Sequence, residues 1–231
     1  MAYSTLLFDL DHTLLDSDTS ELRAFDETMR SVGIADPAPH FADYAAINRA
    51  YWVAVEQGQI TPDQVRVARF EKFTHHLGID ADPEAMAATF VAGLGAYGDL
   101  YDGAIEVLEQ LHEMVPMGLV TNGLSDVQRA RIERLDLGRY FQTIVISGEV
   151  GVSKPGTAIF DLAFAGLRSP DRSTTVMVGD SLSSDIQGAA NYGIAGCWYN
   201  PAGRAAGSGA PITHEIAALS ELPEIIDGSY R

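Results

Sequence analysis

Basic residues, cysteine and long apolar runs are all scarce in this chain of 231 residues. Its 15 Lys and Arg stand against 32 Asp and Glu, and the formal net charge of −17 would repel an extended polyphosphate, so no nucleic-acid polymer is expected as a partner. Cys197 is the only cysteine, which excludes an internal disulfide. No apolar run approaches the roughly 18 residues of a membrane span, and no basic, apolar leader precedes the first strand, so we expect a cytoplasmic protein without a membrane partner.

Two kinds of pattern divide the chain. Residues 17–98 contain four successive stretches with apolar side chains at helical spacing and no strand pattern, which predicts a helical bundle. Helix and strand patterns alternate from residue 99 onward, which is typical of a parallel sheet with helices on both faces. We therefore predict an α/β fold: a doubly wound parallel sheet in a core domain of residues 1–16 and 99–231, with a helical cap of residues 17–98 inserted after the first strand.

Two carboxylates follow the first predicted strand. The apolar run of residues 6–8 indicates a buried strand, and Asp9 and Asp11 come directly after it. Residues two apart in an extended chain point the same way, so the two carboxylates should stand side by side. Like charges that close need a cation, a proton or a reaction, although a solvated Asp-rich turn would explain the same residues.

Polar groups also follow the second predicted strand. Thr121 offers a hydroxyl, and Asn122 and Gly123 offer backbone N–H groups, as in anion sites at helix starts. Ser125 and Gln128 have the pattern of a capping box that opens the next helix. The alternative is a strand-to-helix turn that simply favours these residue types.

The later strands add a lysine and more carboxylates. Lys154 is one of only two lysines, and Pro155 suits the first turn of a helix, which would place Lys154 at the mouth of that helix. Asp180 and Asp185 follow the fourth strand, where Gly179 allows close backbone approach. Carboxylate oxygens without any zinc-type spacing of His and Cys favour Mg²⁺ as the ion that neutralises this edge.

The chain resembles the haloacid dehalogenase-like phosphohydrolases in four ordered motifs: Asp9-Leu10-Asp11-His12-Thr13, Thr121, Lys154, and Gly179-Asp180 with Asp185. The predicted insert resembles the first type of helical cap in that family. The chain departs from the family at His12, where many members have Gly, and the role of this residue is open.

The resemblance implies a mechanism and roles for these residues. Asp9 would attack phosphorus and form an aspartyl-phosphate, and Asp11 would protonate the leaving group and later deprotonate water. The implied ligands of Mg²⁺ are Asp9, Asp11 through its backbone carbonyl, Asp180 and Asp185. The implied phosphate-binding residues are Thr121, Asn122, Gly123 and Lys154.

The insert and one core segment resemble the bacterial pyrimidine 5'-nucleotidases. The segments concerned are Phe41-Ala42-Asp43-Tyr44, Ile47-Asn48, Tyr51-Trp52, Gly58-Gln59-Ile60-Thr61, Arg69-Phe70-Glu71 and residues 146–155. This resemblance implies a nucleoside monophosphate, a small phosphorylated metabolite, as substrate for a monomer or homodimer.

Other functions remain open at this point. A sugar-phosphate or phosphoglycolate phosphatase and a phosphomutase would carry the same motifs, whereas the 2-haloacid dehalogenases of the family lack an acid at the position of Asp11. A phospho-receiver domain would have its acidic pair before the phosphorylated Asp, the reverse of the order here. An inactive binding scaffold is disfavoured because no motif carboxylate is missing.

Overall fold

A computed structural model describes residues 2–207 and 209–230. The strands are β1 (Thr5–Phe8), β2 (Met117–Thr121), β3 (Thr143–Ile146), β4 (Thr175–Gly179), β5 (Ala195–Tyr199) and β6 (His214–Ile216). Within the described residues they form one six-stranded parallel sheet in the order β3-β2-β1-β4-β5-β6. The predicted doubly wound α/β fold is confirmed.

Helices connect the strands, joined by short 3₁₀ and π-helical turns. They are α1 (Ser17–Ser31), α2 (Phe41–Glu56), α3 (Pro62–Leu77), α4 (Pro83–Ala96), α5 (Ala104–His112), α6 (Ser125–Arg134), α7 (Ser147–Val150), α8 (Ala158–Gly166), α9 (Gln187–Tyr192) and α10 (Leu222–Asp227). Among the residues that the structure describes, none of these helices has the length and apolarity needed to cross a bilayer.

The central strand β1 is buried on both faces of the sheet. Leu6 and Phe8 point into one apolar cluster, which includes Leu108 of α5, whereas Leu7 points into a second cluster with Phe160 of α8. The alternation follows from the period of two in a strand, and it explains why β1 is apolar at every position. Burial on both faces fixes the register of β1 and therefore the position of the residues that follow it.

Helices α1 to α4 lie between β1 and α5 and enclose an apolar cluster of their own. Its centre is aromatic: the ring of Tyr44 stacks on Phe70 at 5.5 Å between centroids and contacts Phe25 and Phe90 at 4.9 and 5.2 Å. These helices occupy the segment predicted as the cap, and the division into two domains stays a prediction.

The strand order reverses between β1 and β4, which are hydrogen-bonded neighbours. From β1 the sheet continues in one direction to β2 and then β3, and from β4 it continues in the opposite direction to β5 and then β6. Ligands of doubly wound sheets bind outside the carboxyl ends of the strands at such a reversal. The residues that follow Phe8 and Gly179 lie at this position.

Candidate active site

Asp9 is the first residue after β1 and is almost fully buried. Its Oδ1 accepts a hydrogen bond from Lys154 Nζ at 2.6 Å, and Thr13 Oγ1 lies 3.5 Å from its Oδ2. Burial raises the pKa of Asp9 well above its ordinary value; Lys154 offsets part of this effect, while Asp185 and Asp11 add to it. The carboxylate is thus held in place by one cation and is poorly solvated.

Lys154 has only 1% of its surface exposed, and its ammonium group contacts three acceptors. Besides Asp9, the ammonium group contacts Asp185 Oδ1 at 2.7 Å and the carbonyl oxygen of Val120 at 2.7 Å. Burial opposes the charge, but Asp185 and Asp9 raise the pKa of Lys154 above its ordinary value. Lys154 therefore remains an ammonium ion shared by two carboxylates.

The backbone of Lys154 is held by Asn122. Asn122 Oδ1 accepts from the Lys154 N–H at 2.9 Å, and Asn122 Nδ2 donates to the Lys154 carbonyl at 2.9 Å. The prediction that Pro155 begins a helix is wrong: Lys154 and Pro155 are joined by a cis peptide bond in a turn, and α8 begins only at Ala158. Tertiary contacts at the sheet edge, rather than a helix mouth, position this lysine.

Asp180 directly follows β4, and Asp185 lies in the π-helical turn Leu182–Ile186 that comes next. Each of Asp9, Asp180 and Asp185 has a carboxylate oxygen within 4.8 Å of the others. The backbone N–H of Ser181 donates to Asp185 Oδ2 at 3.0 Å, and a Cβ at Gly179 would overlap the Asp185 carboxyl group. Only glycine therefore lets Asp185 pack against the end of β4.

The charge at this cluster is unbalanced without a further cation. Among the described residues, three carboxylates face two cations: Lys154 pairs with Asp9 and Asp185, and the exposed Arg204 has its Nη2 3.5 Å from Asp180 Oδ2. Burial together with the neighbouring Asp185 raises the pKa of Asp180 to about 6. Oxygen ligands of this kind fit a hard divalent ion such as Mg²⁺. The donor set of Asp9, Asp180 and Asp185 is consistent with the metal that the sequence predicted.

Asp11 is held by three donors that were not predicted as site residues. Ser17 Oγ and Arg131 Nη1 donate to Oδ1 at 2.5 and 2.6 Å, and Gln128 Nε2 donates to Oδ2 at 2.6 Å. Burial alone would raise the pKa of Asp11, but the charge of Arg131 and the hydrogen bonds from Ser17 and Gln128 lower it. Asp11 is therefore ionised and fixed in orientation.

The predicted capping box at the start of α6 is wrong. Leu124, not Ser125, precedes the helix, and no side chain caps it there. The Gln128 amide instead donates to both Asp11 and Thr121 Oγ1, the latter at 2.8 Å. Gln128 and Arg131 lie three residues apart, so both reach the site from one face of α6.

Arg131 also links the site to the inserted helices. Its Nη2 donates to Ser20 Oγ of α1 at 2.9 Å, and its Nε donates to the Leu94 carbonyl of α4 at 2.8 Å. The side chain is buried, and the same guanidinium contacts Asp11, α1 and α4. The spacing of Gln128 and Arg131 was visible in the sequence, but polar residues on a helix face are more often solvated.

The predicted phosphate-binding residues lie together around the end of β2. Thr121 is buried, and the backbone N–H of Gly123 donates to Ser147 Oγ at 3.0 Å. Phosphate binding by Gly123 stays a prediction, and it would require this hydrogen bond to be exchanged.

His12 lies in the loop after β1 with φ of 59°, in the left-handed region that favours glycine. This backbone conformation explains why glycine suits the position. The imidazole is partly exposed, and its Nδ1 lies 3.7 Å from Asp18 Oδ1.

A cavity of about 680 Å³ connects these residues with the inserted helices. Its lining includes Asp9, Asp11 and Asp180, which follow strands of the sheet, and Asn48 and Arg69, which lie on α2 and α3. Its lining contains seven carboxylates and four guanidinium groups. An anionic ligand would enter against this excess of negative charge, which is a further reason for a divalent cation at the carboxylate cluster.

Comparisons with known proteins give a matching family model and several relatives over nearly the whole chain. The family model of haloacid dehalogenase-like hydrolases matches residues 3–193. Pyrimidine 5'-nucleotidase YjjG of Escherichia coli is 36% identical over 228 residues, which cover 98% of this chain and 99% of that protein. Pyrimidine 5'-nucleotidase PynA of Streptococcus pneumoniae is 32% identical over 228 residues, which cover 98% of this chain and 96% of that protein. The crystal structure of the HAD-hydrolase YfnB of Bacillus subtilis, bound to magnesium, has a TM-score of 0.90 and 31% identity, covering 98% of this chain and 100% of that one.

Proposed function

Because this chain belongs to the haloacid dehalogenase-like hydrolase family and is a phosphatase, we propose that it is a magnesium-dependent 5'-nucleotidase acting on pyrimidine nucleoside monophosphates. The observation that carries the proposal is the pairing of Asp9, which lines the cavity, with the buried Lys154 at 2.6 Å, beside Asp180 and Asp185. The nucleotidases of Escherichia coli and Streptococcus pneumoniae support the choice of substrate, because the similarity extends over the inserted helices as well as the sheet.

Asp9 acts as the nucleophile in the proposed reaction. One of its carboxylate oxygens bonds to phosphorus while the bond from phosphorus to the 5' oxygen of the nucleoside breaks, which leaves an aspartyl-phosphate. Lys154 keeps Asp9 aligned, and its ammonium group carries part of the charge of the transferred phosphoryl group. Thr121 and Asn122 lie beside Lys154 and serve the same group.

Asp11 moves the proton in both half-reactions. It gives a proton to the leaving 5' oxygen and then, as a carboxylate, takes a proton from the water that attacks phosphorus and releases phosphate. Arg131, Gln128 and Ser17 favour the carboxylate form, which suits the second half-reaction. The acid form of the first half-reaction requires substrate binding to loosen at least one of these contacts.

The metal would be held by the carboxylates of Asp9 and Asp180 and the backbone carbonyl of Asp11, with Asp185 as a further ligand or as a hydrogen-bonded support. Bound there, Mg²⁺ would neutralise charge on the phosphoryl oxygens. The structure of YfnB, which is bound to magnesium, supports the choice of magnesium as the ion.

A phosphate-release screen tests the proposal. Purified protein is assayed with pyrimidine and purine 5'-monophosphates, ribose 5-phosphate and phosphoglycolate, each with MgCl₂ and with EDTA. We expect the highest kcat/KM on pyrimidine nucleotides and no release with EDTA, and the Asp9→Asn variant measures the background. Equal or faster turnover of phosphoglycolate or ribose 5-phosphate would contradict the nucleotidase proposal.

A further inference from the structure

Arg69 on α3 is a buried cation with unused hydrogen-bond donors. Only 1% of its surface is exposed, and its Nε and Nη2 atoms have no hydrogen-bond partner among the described residues. Its Nη1 atom alone is engaged, donating to Asn48 Oδ1 at 3.1 Å. The hydroxyl of Tyr44, a neighbour of Arg69, is also buried without a hydrogen-bond partner among the described residues. Buried polar groups are rarely left unpaired in a native protein, so this group of atoms is a place where a ligand could supply hydrogen-bond partners.

The neighbours of Arg69 hold its guanidinium group in place. Asn48 Nδ2 donates to Glu21 Oε1 at 2.6 Å, so Glu21, Asn48 and Arg69 form one hydrogen-bonded row. The guanidinium carbon lies 4.5 Å from the ring centroid of Phe90 and 5.4 Å from that of Phe70. Nε and Nη2 belong to the same rigid planar group as Nη1, so the contacts that hold the guanidinium also hold the unused N–H groups.

This row lies in the same cavity as the predicted nucleophile. Glu21, Asn48 and Arg69 line the cavity that also contains Asp9 and Asp11, and Trp52 adds a flat aromatic surface to its wall. A phosphomonoester with its phosphoryl group at Asp9 would therefore extend the rest of its structure toward Arg69. The row can recognise that remaining part of the substrate.

We propose that Arg69, held by Asn48 and Glu21, is the specificity-determining residue that recognises the nucleobase of the substrate. The unused N–H groups donate to a ring carbonyl, which all pyrimidine bases carry and adenine lacks. The Glu21 carboxylate, on the other side of Asn48, accepts from the N3–H group of uracil or thymine or from the 4-amino group of cytosine. This inference rests on the proposed function and adds the substrate group that is recognised and the residues that recognise it.

The test measures the preference for a base rather than total activity. The values of kcat/KM for uridine 5'-monophosphate and for ribose 5-phosphate, which has no base, are compared in the wild type and in Arg69→Lys. Lysine keeps the charge and loses the planar pair of donors, so we expect the ratio of the two values to fall by about 10- to 100-fold. Arg30→Lys is the matched control, because Arg30 is an exposed arginine of α1 that pairs with Asp26 and does not line the cavity.

Asn48→Ala provides a second variant that leaves Arg69 in place, and thermal unfolding of both variants checks that they fold. Asn48 is only partly buried, and its loss should lower the same ratio in the same direction, so this variant decides the question if Arg69→Lys does not fold. A structural role for Arg69 would lower both kcat/KM values equally and leave the ratio unchanged, which would overturn the inference.

The remaining outcomes separate this inference from the proposed function. A wild type with no preference for uridine 5'-monophosphate over ribose 5-phosphate would refute both. A wild type that has the preference, with variants that keep it, would refute only the role of Arg69. A selective loss of activity on phosphoglycolate in Arg69→Lys would show that the guanidinium binds a carboxylate, which would also overturn the inference.

Discussion

Asp9→Asn should abolish phosphate release and leave the fold intact, whereas Lys154→Met should destabilise the fold. The two residues form one buried ion pair, yet the structure predicts opposite consequences for stability. Asp9 is one of three clustered carboxylates, and Lys154 is the ammonium group that Asp9 and Asp185 share. Removing a negative charge improves the local balance, and removing the positive charge worsens it.

The magnitudes follow from what each change leaves behind. After Asp9→Asn, Lys154 keeps Asp185 and the Val120 carbonyl as acceptors, so the free energy of unfolding should change by no more than about 1 kcal/mol. After Lys154→Met, Asp9 and Asp185 remain buried without a cation, and removing one partner of a buried ion pair costs about 3–5 kcal/mol. At about 2–4 °C per kcal/mol for a chain of this size, these values correspond to a Tm shift of at most about 4 °C and a decrease of about 6–20 °C.

Thermal unfolding without divalent metal measures both variants against the wild type, and phosphate release measures the chemistry. Loss of the nucleophile should lower kcat by about 10⁴-fold or more. Adding MgCl₂ at 100 times its Kd should increase the free energy of unfolding of the wild type by about 2.7 kcal/mol and so raise its Tm. The Tm of Asp9→Asn should rise less, because one ligand has lost its charge.

Two results would refute this reasoning. A decrease of about 10 °C in the Tm of Asp9→Asn would mean that Asp9 is a structural residue whose charge the fold needs. A Lys154→Met variant as stable as the wild type would mean that the carboxylates are not held by Lys154, and the charge balance described above would be wrong.

Two further predictions concern the metal and Asp11. The stabilisation by MgCl₂ should shrink between about pH 8 and about pH 5, because the pKa of Asp180 is about 6 and its protonated form is a poor ligand. Because this pKa lies above the ordinary value, the native state binds the proton more readily than the unfolded state does. Asp180 should therefore make the metal-free protein more stable as pH falls through 6. Unfolding curves with and without MgCl₂ should show these opposite trends, and parallel curves would contradict them. A Cβ at Gly123 would lie 2.7 Å from Gln128 Nε2, so Gly123→Ala should move Gln128 away from Asp11 and lower kcat/KM by about 10- to 100-fold with little change in Tm. Gly138→Ala, where the nearest atom lies 4.0 Å away, is the control, and full activity of Gly123→Ala would show that the contact between Gln128 and Asp11 is dispensable.

The arrangement of the sheet was predictable because strand signals are local. The apolar run before Asp9 and the alternation of helix and strand patterns after residue 99 indicated a parallel sheet, and the carboxyl ends of parallel strands meet at one edge. Residues that follow different strands, such as Thr121 and Asp180, could therefore be assigned to one site before any coordinates. The resemblance to a known family then supplied an implied role for each.

The local predictions that were wrong concerned side chains with distant partners. Gln128 fits a capping box by spacing, but its amide donates to Asp11, 117 residues earlier in the chain. Pro155 is compatible with a first helical turn, but Asn122, 32 residues before Lys154, holds the preceding peptide in a turn. A local pattern indicates which hydrogen bonds a side chain can form with its neighbours in sequence. It does not indicate whether a charged group from a distant part of the chain competes for that side chain.

The sequence by itself determined which carboxylates, which lysine and which hydroxyl group reach the edge of the sheet. Only the tertiary structure decided that Arg131 holds Asp11, and that Arg69 lines the cavity with two buried donors that have no partner among the described residues. Both arginines lie on helices whose polar residues would ordinarily face solvent. Which polar face becomes buried depends on how the inserted helices pack against the sheet, and that packing is set by contacts between residues far apart in the chain.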